Sequence, residues 1–320
     1  MLGTVVVGVI FTDIKGFSQS TYQPMGRNLG RVEYTHGGVS RNIAENIAQS
    51  GMPVTFVSMT EPDAIGRETV ERLAANGVNT EFILPVKRNG IGKWMVILDE
   101  NGDVAGQISC PPDMKPLSEF VSAYGNAFVR DAEQIILEID IGEEPSETIL
   151  SLAERYGKKV YTIVGNMSVL LRRQDLIRRT DCFICNEIEI GRLFGQNYSG
   201  MSAEEMLAVL SREVPARGYP STVVTLGAQG SVYYEKQTAT GGIVSAIPTA
   251  VVDSSGAGDA FLSGTVMGLS KGLPLRDAIC IGTRLASMTI QSLESSCPRN
   301  TVPADAVSAL RNQVGFPSGF

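Results

Sequence analysis

Residues 253–261 read DSSGAGDAF, a glycine-rich turn followed by apolar positions at helical spacing. Phe261, Leu262 and Val266 continue that spacing, and a strand-like run over residues 247–252 comes before the turn. Glycines at the start of a helix let the backbone N–H groups turn toward one point, which lies at the positive end of the helix dipole. The stretch therefore predicts a strand, an anion-binding turn and a helix, a unit that is typical of α/β folds.

Strand and helix patterns alternate along the rest of the chain. The predicted strands cover residues 4–10, 54–59, 134–139, 159–164, 181–185 and 222–226. The predicted helices include one that starts after Gly38, and others over residues 145–156, 256–269, 274–293 and 304–311. This alternation predicts a mostly parallel sheet with helices on both faces, which is a doubly wound α/β/α sandwich.

Two segments break the alternation. Residues 11–35 are long, polar and irregular, whereas residues 92–109 have the pattern of a hairpin with a turn at Asn101-Gly102. We expect one domain over residues 1–320, with a small β lid formed by about 11–35 and 92–109. A structural edge hairpin would have the same pattern. Strand alternation separates Trp94 from Lys93 and Met95, and the sequence does not say which face meets a ligand.

The composition excludes several classes of protein. The chain has 320 residues, of which 43% are hydrophobic, so it can form a full core and is not disordered. Its net charge of −7 argues against a large polyanionic partner, and we expect no nucleic acid polymer. The apolar run at residues 5–10 is too short to span a bilayer, so we expect no membrane partner.

Cysteine and histidine limit the possible chemistry. Five scattered cysteines, an odd number, favour a reducing compartment and a cytoplasmic location. Cys182 and Cys185 lie in a strand-like segment, so their side chains point to opposite faces and do not suit a redox or zinc site. His36 is the single histidine, which excludes a histidine-rich metal site.

Asp259 lies in the first turn of the helix that the glycine turn opens. Its charge would repel a phosphate bound there, so it does not serve to bind the anion. It suits a general base that accepts a proton from an attacking hydroxyl. The alternative is an ordinary glycine turn with an acidic residue in the first helical turn.

Two further segments carry candidate groups for a nucleotide. Gly227 and Gly230 follow Thr225 and permit close approach of phosphates, although a hairpin turn has the same pattern. Asn186 and Glu189 share one face if a helix starts there, and they suit a hydrated magnesium ion that bridges ATP phosphates. Capping of that helix by Asn186 is the alternative.

The N-terminal region carries candidate groups for binding hydroxyls. Asp13 follows the first strand, and Gly37-Gly38 precede a helix that carries Asn42. Such groups at strand ends suit sugar hydroxyls, although Asp13 alone could be a solvated loop acid. No G-x-G-x-x-G follows the first strand and no G-x-x-x-x-G-K-[ST] occurs, so neither a nicotinamide-dependent oxidoreductase nor a P-loop NTPase is indicated.

In this order, the segments resemble the PfkB family, the ribokinase-like kinases of carbohydrates and nucleosides. The three family signatures resemble residues 37–44, 186–189 and 253–259, so the resemblance covers nearly the whole chain. Ser254-Ser255 stands where two threonines are usual, which keeps the hydroxyls. The resemblance implies a ribokinase-like doubly wound α/β/α sandwich with a small β lid, ATP as donor and Mg²⁺ as cofactor.

The resemblance also implies a role for each candidate residue. The catalytic set would be Asp259 as the base and the amides of Gly256, Ala257 and Gly258 as the anion hole. The nucleotide-binding set would be Asn186, Glu189, Thr225, Gly227 and Gly230. The substrate-binding set would be Asp13, Gly37, Gly38, Asn42 and Asp259. The metal-binding set would be Glu189 for magnesium and Asp253 for a monovalent cation, K⁺.

Residues 37–48, GGVSRNIAENIA, bear on the acceptor. They look more like pseudouridine kinases than ribokinases, which usually carry lysine and small residues after the two glycines. We expect transfer to the 5′-hydroxyl of pseudouridine, with ribokinase, fructokinase or another sugar kinase of the family as alternatives. A non-catalytic ligand sensor on the same fold is the alternative from another class. The family also implies a homodimer through the lid.

Overall fold

The computed structural model describes residues 2–297, which form two β-sheets with helices on both faces of the larger sheet. In chain order the strands are β1 (Thr4–Val7), β2 (Phe11–Ser18), β3 (Gly30–Gly37), β4 (Val54–Thr60), β5 (Ile83–Pro85), β6 (Gly92–Leu98), β7 (Val104–Cys110), β8 (Gln134–Glu138), β9 (Lys159–Ile163), β10 (Cys182–Asn186), β11 (Ser221–Thr225), β12 (Ser231–Glu235) and β13 (Thr240–Val244). The helices are α1 (Val39–Gln49), α2 (Ala64–Ala75), α3 (Lys115–Asp131), α4 (Glu143–Tyr156), α5 (Gln174–Ile177), α6 (Glu187–Phe194), α7 (Ala203–Arg217), α8 (Ala257–Ser270) and α9 (Leu275–Thr289), with short 3₁₀ turns at Ile139–Ile141 and Gly227–Gln229.

The larger sheet has nine strands in the order β13-β12-β11-β10-β9-β8-β1-β4-β5. The strands from β5 to β11 pair in parallel, and β12 and β13 add an antiparallel edge. Central strands such as β1, whose four residues are all buried, are continuous apolar runs because helices cover both faces.

The helices form two layers, one on each face of this sheet. The apolar side chains of α3, α4, α5, α6 and α7 join one core, and those of α1, α2, α8 and α9 join the other. Cys185 and Cys182 lie in the first and the second of these cores, so the predicted separation of the two thiols is confirmed. The predicted doubly wound α/β/α sandwich is confirmed as well. No helix within residues 2–297 is long and apolar enough to cross a membrane.

The smaller sheet has four strands in the order β3-β2-β6-β7. The prediction of an irregular segment over residues 11–35 is wrong, because β2 and β3 form an antiparallel hairpin there. Most of their side chains are only partly buried or exposed, which hides the alternation of polar and apolar positions. The hairpin expected over residues 92–109 is present as β6 and β7, and β6 pairs in parallel with β2.

Two other predicted boundaries are wrong. Residues 247–252 form no strand, because the sheet ends at β13 and Pro248 lacks an N–H for pairing. Helix α9 ends before residue 293, since the carbonyl of Ile290 accepts the N–H of Val252 at 2.8 Å instead of continuing the helix. The helix expected near residues 304–311 lies outside the described residues.

Candidate active site

The glycine turn occupies the start of α8, where Gly256 is the N-cap with a φ of +76°. A Cβ on Gly256 would lie 1.9 Å from the carbonyl oxygen of Ser295, so both the backbone angle and the space require glycine. The Asp253 carboxylate accepts the N–H of Ser255 at 2.8 Å and thereby fixes the chain before the turn. Gly258 faces open space. The turn is therefore packed closely against Ser295 at Gly256 and is open at Gly258.

Asp259 is buried in the first turn of α8, with 8% of its surface exposed. The Asn42 amide nitrogen donates to its Oδ2 at 2.6 Å. Burial raises the pKa of Asp259 to about 6, and the hydrogen bond from Asn42 and the charge of Arg41 oppose that rise. Its Oδ1 has no hydrogen-bond partner in the described part of the chain. The carboxylate thus has one fixed oxygen and one that can accept a proton near neutral pH.

Asp13 lies in β2, and the interpretation of it as a solvated loop acid is wrong. Burial raises its pKa, and the charges of Lys15 and Arg41 oppose the rise. No described residue donates a hydrogen bond to its carboxylate. A Cβ on Gly37 would come within 2.5 Å of the carboxylate oxygens, so glycine is what lets Asp13 turn inward there. A mostly buried carboxylate without donors is suited to polar groups of a ligand.

The small sheet turns one face toward the glycine turn. Lys15, on the same face as Asp13, has its Nζ 3.5 Å from Asp253 Oδ2. Trp94 of β6 is the register partner of Asp13, so its side chain shares that face. Lys93 and Met95 point to the other face. Trp94, and not Lys93 or Met95, therefore shares the face of the small sheet that carries Asp13 and Lys15.

A cavity of about 670 Å³ lies beside the turn, between β11, the segment that follows β13, α8 and α9. Thr225, Gly227 and Gly230 line it together with Ala257 and Gly258 of the turn. Ile247, Pro248 and Val251, from the segment expected as a strand, supply an apolar wall instead. The structure thus brings three of the predicted nucleotide residues and two of the three predicted anion-hole residues to one cavity, whereas Asn186 and Glu189 do not line it.

Asn186 and Glu189 lie at the start of α6 and form a capping box. Each side chain accepts the other residue's N–H at 2.9 Å, which is the alternative that the sequence allowed for Asn186. Burial raises the pKa of Glu189 and the charge of Asp140 adds to the rise, while the N–H of Asn186 opposes it. Glu189 Oε1 has no hydrogen-bond partner among the described residues. A dication bound there would reduce the repulsion between the carboxylates of Glu189 and Asp140.

The donor set fits magnesium that is held mainly by water and phosphates. No three acidic, histidine or cysteine side chains come together as a metal cluster in residues 2–297. Magnesium is commonly bound through one or two carboxylates and the substrate's phosphates, so a single free oxygen on Glu189 suffices. Asp253 differs, because both its oxygens have partners: burial would raise its pKa, but the Ser255 N–H and Lys15 hold it below the usual value.

Two buried charged residues in this region were missed from the sequence. Glu138 ends β8, and its Oε2 accepts the hydroxyl of Ser40 at 2.7 Å and the N–H of Val9 at 3.2 Å. Burial raises the pKa of Glu138 to about 7. Arg41, next to Asn42, is 1% exposed. The sequence did contain a signal for each residue. Glu138 is a carboxylate at the end of the apolar run 134–138, and Arg41 is a cation among the apolar positions of a helix.

The sequence matches the family model of the pfkB carbohydrate kinases over residues 1–301. The chain belongs to the pfkB family of carbohydrate kinases. The predicted enzyme class, a phosphotransferase with an alcohol acceptor, is thereby confirmed. Among curated pfkB relatives, a guanosine-inosine kinase of Exiguobacterium acetylicum is 30% identical over 91% of this chain and 95% of its own. A pseudouridine kinase of Escherichia coli is 25% identical over 96% of both chains.

Solved structures agree on the fold of this pfkB protein. A ribokinase of Arabidopsis thaliana in complex with ribose and ATP has a TM-score of 0.79 at 22% identity, covering 96% of this chain and 98% of its own. The predicted ribokinase-like fold is thus confirmed.

Proposed function

We propose that this pfkB protein transfers the γ-phosphoryl group of ATP to the 5′-hydroxyl of a ribonucleoside, with Asp259 as the general base. The observation that carries the proposal is the hydrogen bond between Asn42 and Asp259. It joins the N-terminal residues proposed for the acceptor to the glycine turn proposed for the phosphoryl group. A carboxylate at that junction can reach a hydroxyl and lies beside the anion site.

In this mechanism Asp13, Gly37, Gly38 and Asn42 hold the ribose. Asp259 Oδ1 takes the proton of the primary hydroxyl of the acceptor. At the same time the hydroxyl oxygen forms the new bond to the γ-phosphorus, and the bond between the γ-phosphorus and the ADP oxygen breaks. The amides of Gly256, Ala257 and Gly258 donate to the phosphoryl oxygens. Glu189, with Asn186 fixing its position, would hold magnesium, which supplies charge neutralisation on the phosphates when bound.

The nucleotide would occupy the cavity of about 670 Å³ beside the turn. Thr225, Gly227 and Gly230 line one part of it, and the apolar side chains of Ile247, Pro248 and Val251 would cover the base of ATP. The volume is in the usual range for a small-molecule site. This arrangement supports ATP as donor, and the Arabidopsis ribokinase of the same fold binds ATP in its complex.

Trp94 supports a nucleoside rather than a free sugar as acceptor. It lies beside Asp13 on the face of the small sheet that meets the turn. A ribose held at Asp13 places its C1 substituent within reach of a neighbouring ring, and an indole binds a nucleobase by stacking. A free sugar has no group for that contact. We propose the small sheet, residues 11–37 and 92–110, as a lid that carries this contact and closes over the acceptor.

Pseudouridine is the acceptor that the sequence of residues 37–48 favours. The 30% identity to a guanosine-inosine kinase makes purine nucleosides the competing acceptors. An acceptor panel decides between them: ADP release is measured with ATP and magnesium for pseudouridine, uridine, guanosine, inosine, adenosine, ribose, fructose and 2-keto-3-deoxygluconate. We expect kcat/KM for a nucleoside to exceed that for ribose at least about tenfold. A preference for any free sugar contradicts the nucleoside proposal. If no acceptor stimulates ADP release while one of them still raises the Tm, the non-catalytic sensor is favoured.

We also propose a homodimer through the outer face of the small sheet. Tyr34 and Ile108 are each 66% exposed, and they form one cross-strand row with Ile14 and Met95. A second copy of the chain would cover this apolar row by a two-fold contact. Light scattering coupled to size exclusion should give a dimer for the wild type and a monomer for Ile108→Asp. A monomeric wild type contradicts the proposal.

K⁺ near Asp253 and a cytoplasmic location are further proposals. The resemblance supports the cation, and activity in K⁺ compared with tetramethylammonium at equal ionic strength tests it. The free thiols of Cys182 and Cys185, both buried, support a reducing compartment, and fractionation of cells that express the protein tests that location.

A further inference from the structure

Arg41 is a buried cation in α1, one turn from the glycine pair that precedes the helix. Its Nη1 donates to Glu45. Its Nη2 donates to the carbonyl oxygen of His36 at 2.7 Å and to Oδ1 of Asn42. A buried guanidinium is costly unless it is paired, so this position needs an explanation beyond packing.

The ion pair with Glu45 does not provide that explanation. Glu45 also accepts from Arg72 Nε at 3.0 Å, from Asn76 and from the hydroxyl of Ser296 at 3.2 Å. It therefore keeps a cation and two neutral donors without Arg41. What Arg41 supplies beyond this ion pair is the contact of Nη2 with the His36 carbonyl oxygen, which fixes the guanidinium, and with Oδ1 of Asn42.

The contact with Oδ1 determines the orientation of the Asn42 amide. A guanidinium has donors only, so the amide must turn its oxygen toward Arg41. The amide nitrogen then points the other way, where it donates to Asp259 Oδ2 at 2.6 Å. The reverse orientation would set N–H groups against the guanidinium and an oxygen against the Asp259 carboxylate.

We propose that Arg41 is a positioning residue for phosphoryl transfer, which fixes the Asn42 amide so that its nitrogen holds one oxygen of Asp259 and leaves the other free for the acceptor hydroxyl. This goes beyond the proposed function and rests on it, because it takes Asp259 as the base. Since Asn42 is also proposed to hold the ribose, Arg41 acts on the acceptor side of the reaction and not on the ATP side.

The charges around Asp259 come from four elements. Arg41 of α1 lowers its pKa, while Asp13 of β2 and Glu189 of α6 raise it, and Glu138 of β8 lies close enough to interact with it. Arg41 is the one cation among these four. Its removal loses both its charge and the fixed amide, and both losses favour the protonated form of Asp259.

The test uses the double variant Arg41→Met/Glu45→Gln, which leaves no uncompensated buried charge. Arg72→Met is the matched control, because it removes a different partner of Glu45 and does not touch Asn42. With the acceptor identified by the panel, KM for acceptor and ATP and the pH profile of kcat/KM are measured for each. For the double variant only, we expect the acceptor KM to rise about tenfold while the ATP KM stays unchanged. We also expect the apparent pKa of the acidic limb of the profile to rise by about half a unit.

Arg41→Lys serves if the double variant does not fold. A lysine keeps the charge but not the planar fork that reaches His36, Asn42 and Glu45 together, so we expect a smaller change of the same kind. An acidic limb and an acceptor KM equal to wild type in a folded Arg41 variant overturn the inference, as does an equal change in Arg72→Met. Absence of acceptor-dependent ADP release in the wild type is different, since it overturns the proposed function itself.

Discussion

Lys15 of β2 lies 3.5 Å from Asp253 at the entrance of the glycine turn, although the two residues are 238 positions apart. Both side chains are partly buried, so water screens the pair less than a surface ion pair. The contact holds the inner face of the small sheet against the element that carries Asp259. It also brings a positive charge close to the site proposed for the phosphoryl group.

Lys15→Met should lower kcat/KM about fivefold, since a part-buried ion pair contributes on the order of 1 kcal/mol. Hydrogen exchange of residues 11–18 should become faster, because β2 loses its attachment to the turn. Lys93→Met is the matched control, as Lys93 points to the opposite face and lies 3.9 Å from Glu61. Equal kinetics for the two variants would show that the Lys15–Asp253 contact has no role in turnover.

Asp259→Asn should lower kcat at least about a hundredfold, because an amide cannot accept the proton of the acceptor hydroxyl. The fold should survive, since the amide oxygen of the new residue still accepts from Asn42. Steady-state ADP release and a melting curve measure the two effects. Turnover within tenfold of wild type would remove Asp259 from the role of base.

The same variant should change stability in a pH-dependent way. The pKa of Asp259 is raised to about 6, so its carboxyl binds a proton in the folded state at pH values where the unfolded chain has lost it. The folded state of wild type therefore loses stability as pH rises from about 4 to about 6. Asparagine does not titrate. Asp259→Asn should therefore raise the free energy of unfolding at pH 7.5 by up to about 3 kcal/mol relative to wild type, and raise the Tm accordingly. At pH 4 the variant should have little effect on either.

Asp175→Asn provides a control of the opposite sign. Arg173 lowers the pKa of Asp175 on the surface, so the negative charge of Asp175 stabilises the folded state. Loss of that charge in Asp175→Asn should slightly lower the Tm at pH 7.5. A Tm difference for Asp259→Asn that is the same at both pH values would contradict a raised pKa at residue 259.

Gly256→Ala and Gly258→Ala should separate stability from catalysis. Alanine at 256 meets both a φ of +76° and the Ser295 carbonyl, so we expect a loss of at least about 1–2 kcal/mol and a clear drop in Tm. A Cβ at 258 meets nothing within 4 Å, so Tm should stay near wild type. It would nevertheless project toward the cavity beside the turn, and we expect lower kcat with a higher KM for ATP. Normal kinetics for a folded Gly258→Ala would place the phosphates elsewhere.

Trp94→Ala should discriminate between acceptors. We expect the KM for a nucleoside to rise about tenfold or more, as loss of one stacking contact costs about 1–3 kcal/mol. Activity with ribose, where measurable, should change little. Met95→Ala is the matched control, because it lies one residue away on the outer face. An equal loss for ribose and nucleosides in Trp94→Ala would mean that the ring supports the lid and does not contact a base.

The α/β sandwich could be predicted from sequence because its central strands are covered on both faces. Each one is a short apolar run with a helical pattern after it, as at residues 134–139 and 145–156, and neither signal needs distant contacts. Asp259 and its glycines were found in the same way, since turn and helix start are local features. The structure then brings Asn42 and Thr225, found separately, to the two sides of that turn.

The rest depends on contacts that no local pattern encodes. β2 and β3 are exposed on much of their surface, so polar and apolar residues do not alternate clearly there. Val251 and Val252 have strand-like residue types but no neighbouring strand to pair with. Glu138 and Arg41 would be unfavourable at buried positions by themselves. Their partners at residues 9, 36, 40, 42 and 45 make those positions possible.

The inner face of the small sheet and the cavity beside α8 come from distant parts of the polypeptide. Residues 11–110 supply Asp13, Trp94 and Asn42, while residues 225–290 supply the walls of the cavity. Under the proposed function, recognition of the acceptor and binding of ATP would therefore rest on separate parts of the chain. Residues 11–37 and 92–110 can be exchanged between homologues to make chimeras. Such a chimera should take its preference among acceptor alcohols from the homologue that supplied these two segments, and its KM for ATP should stay unchanged.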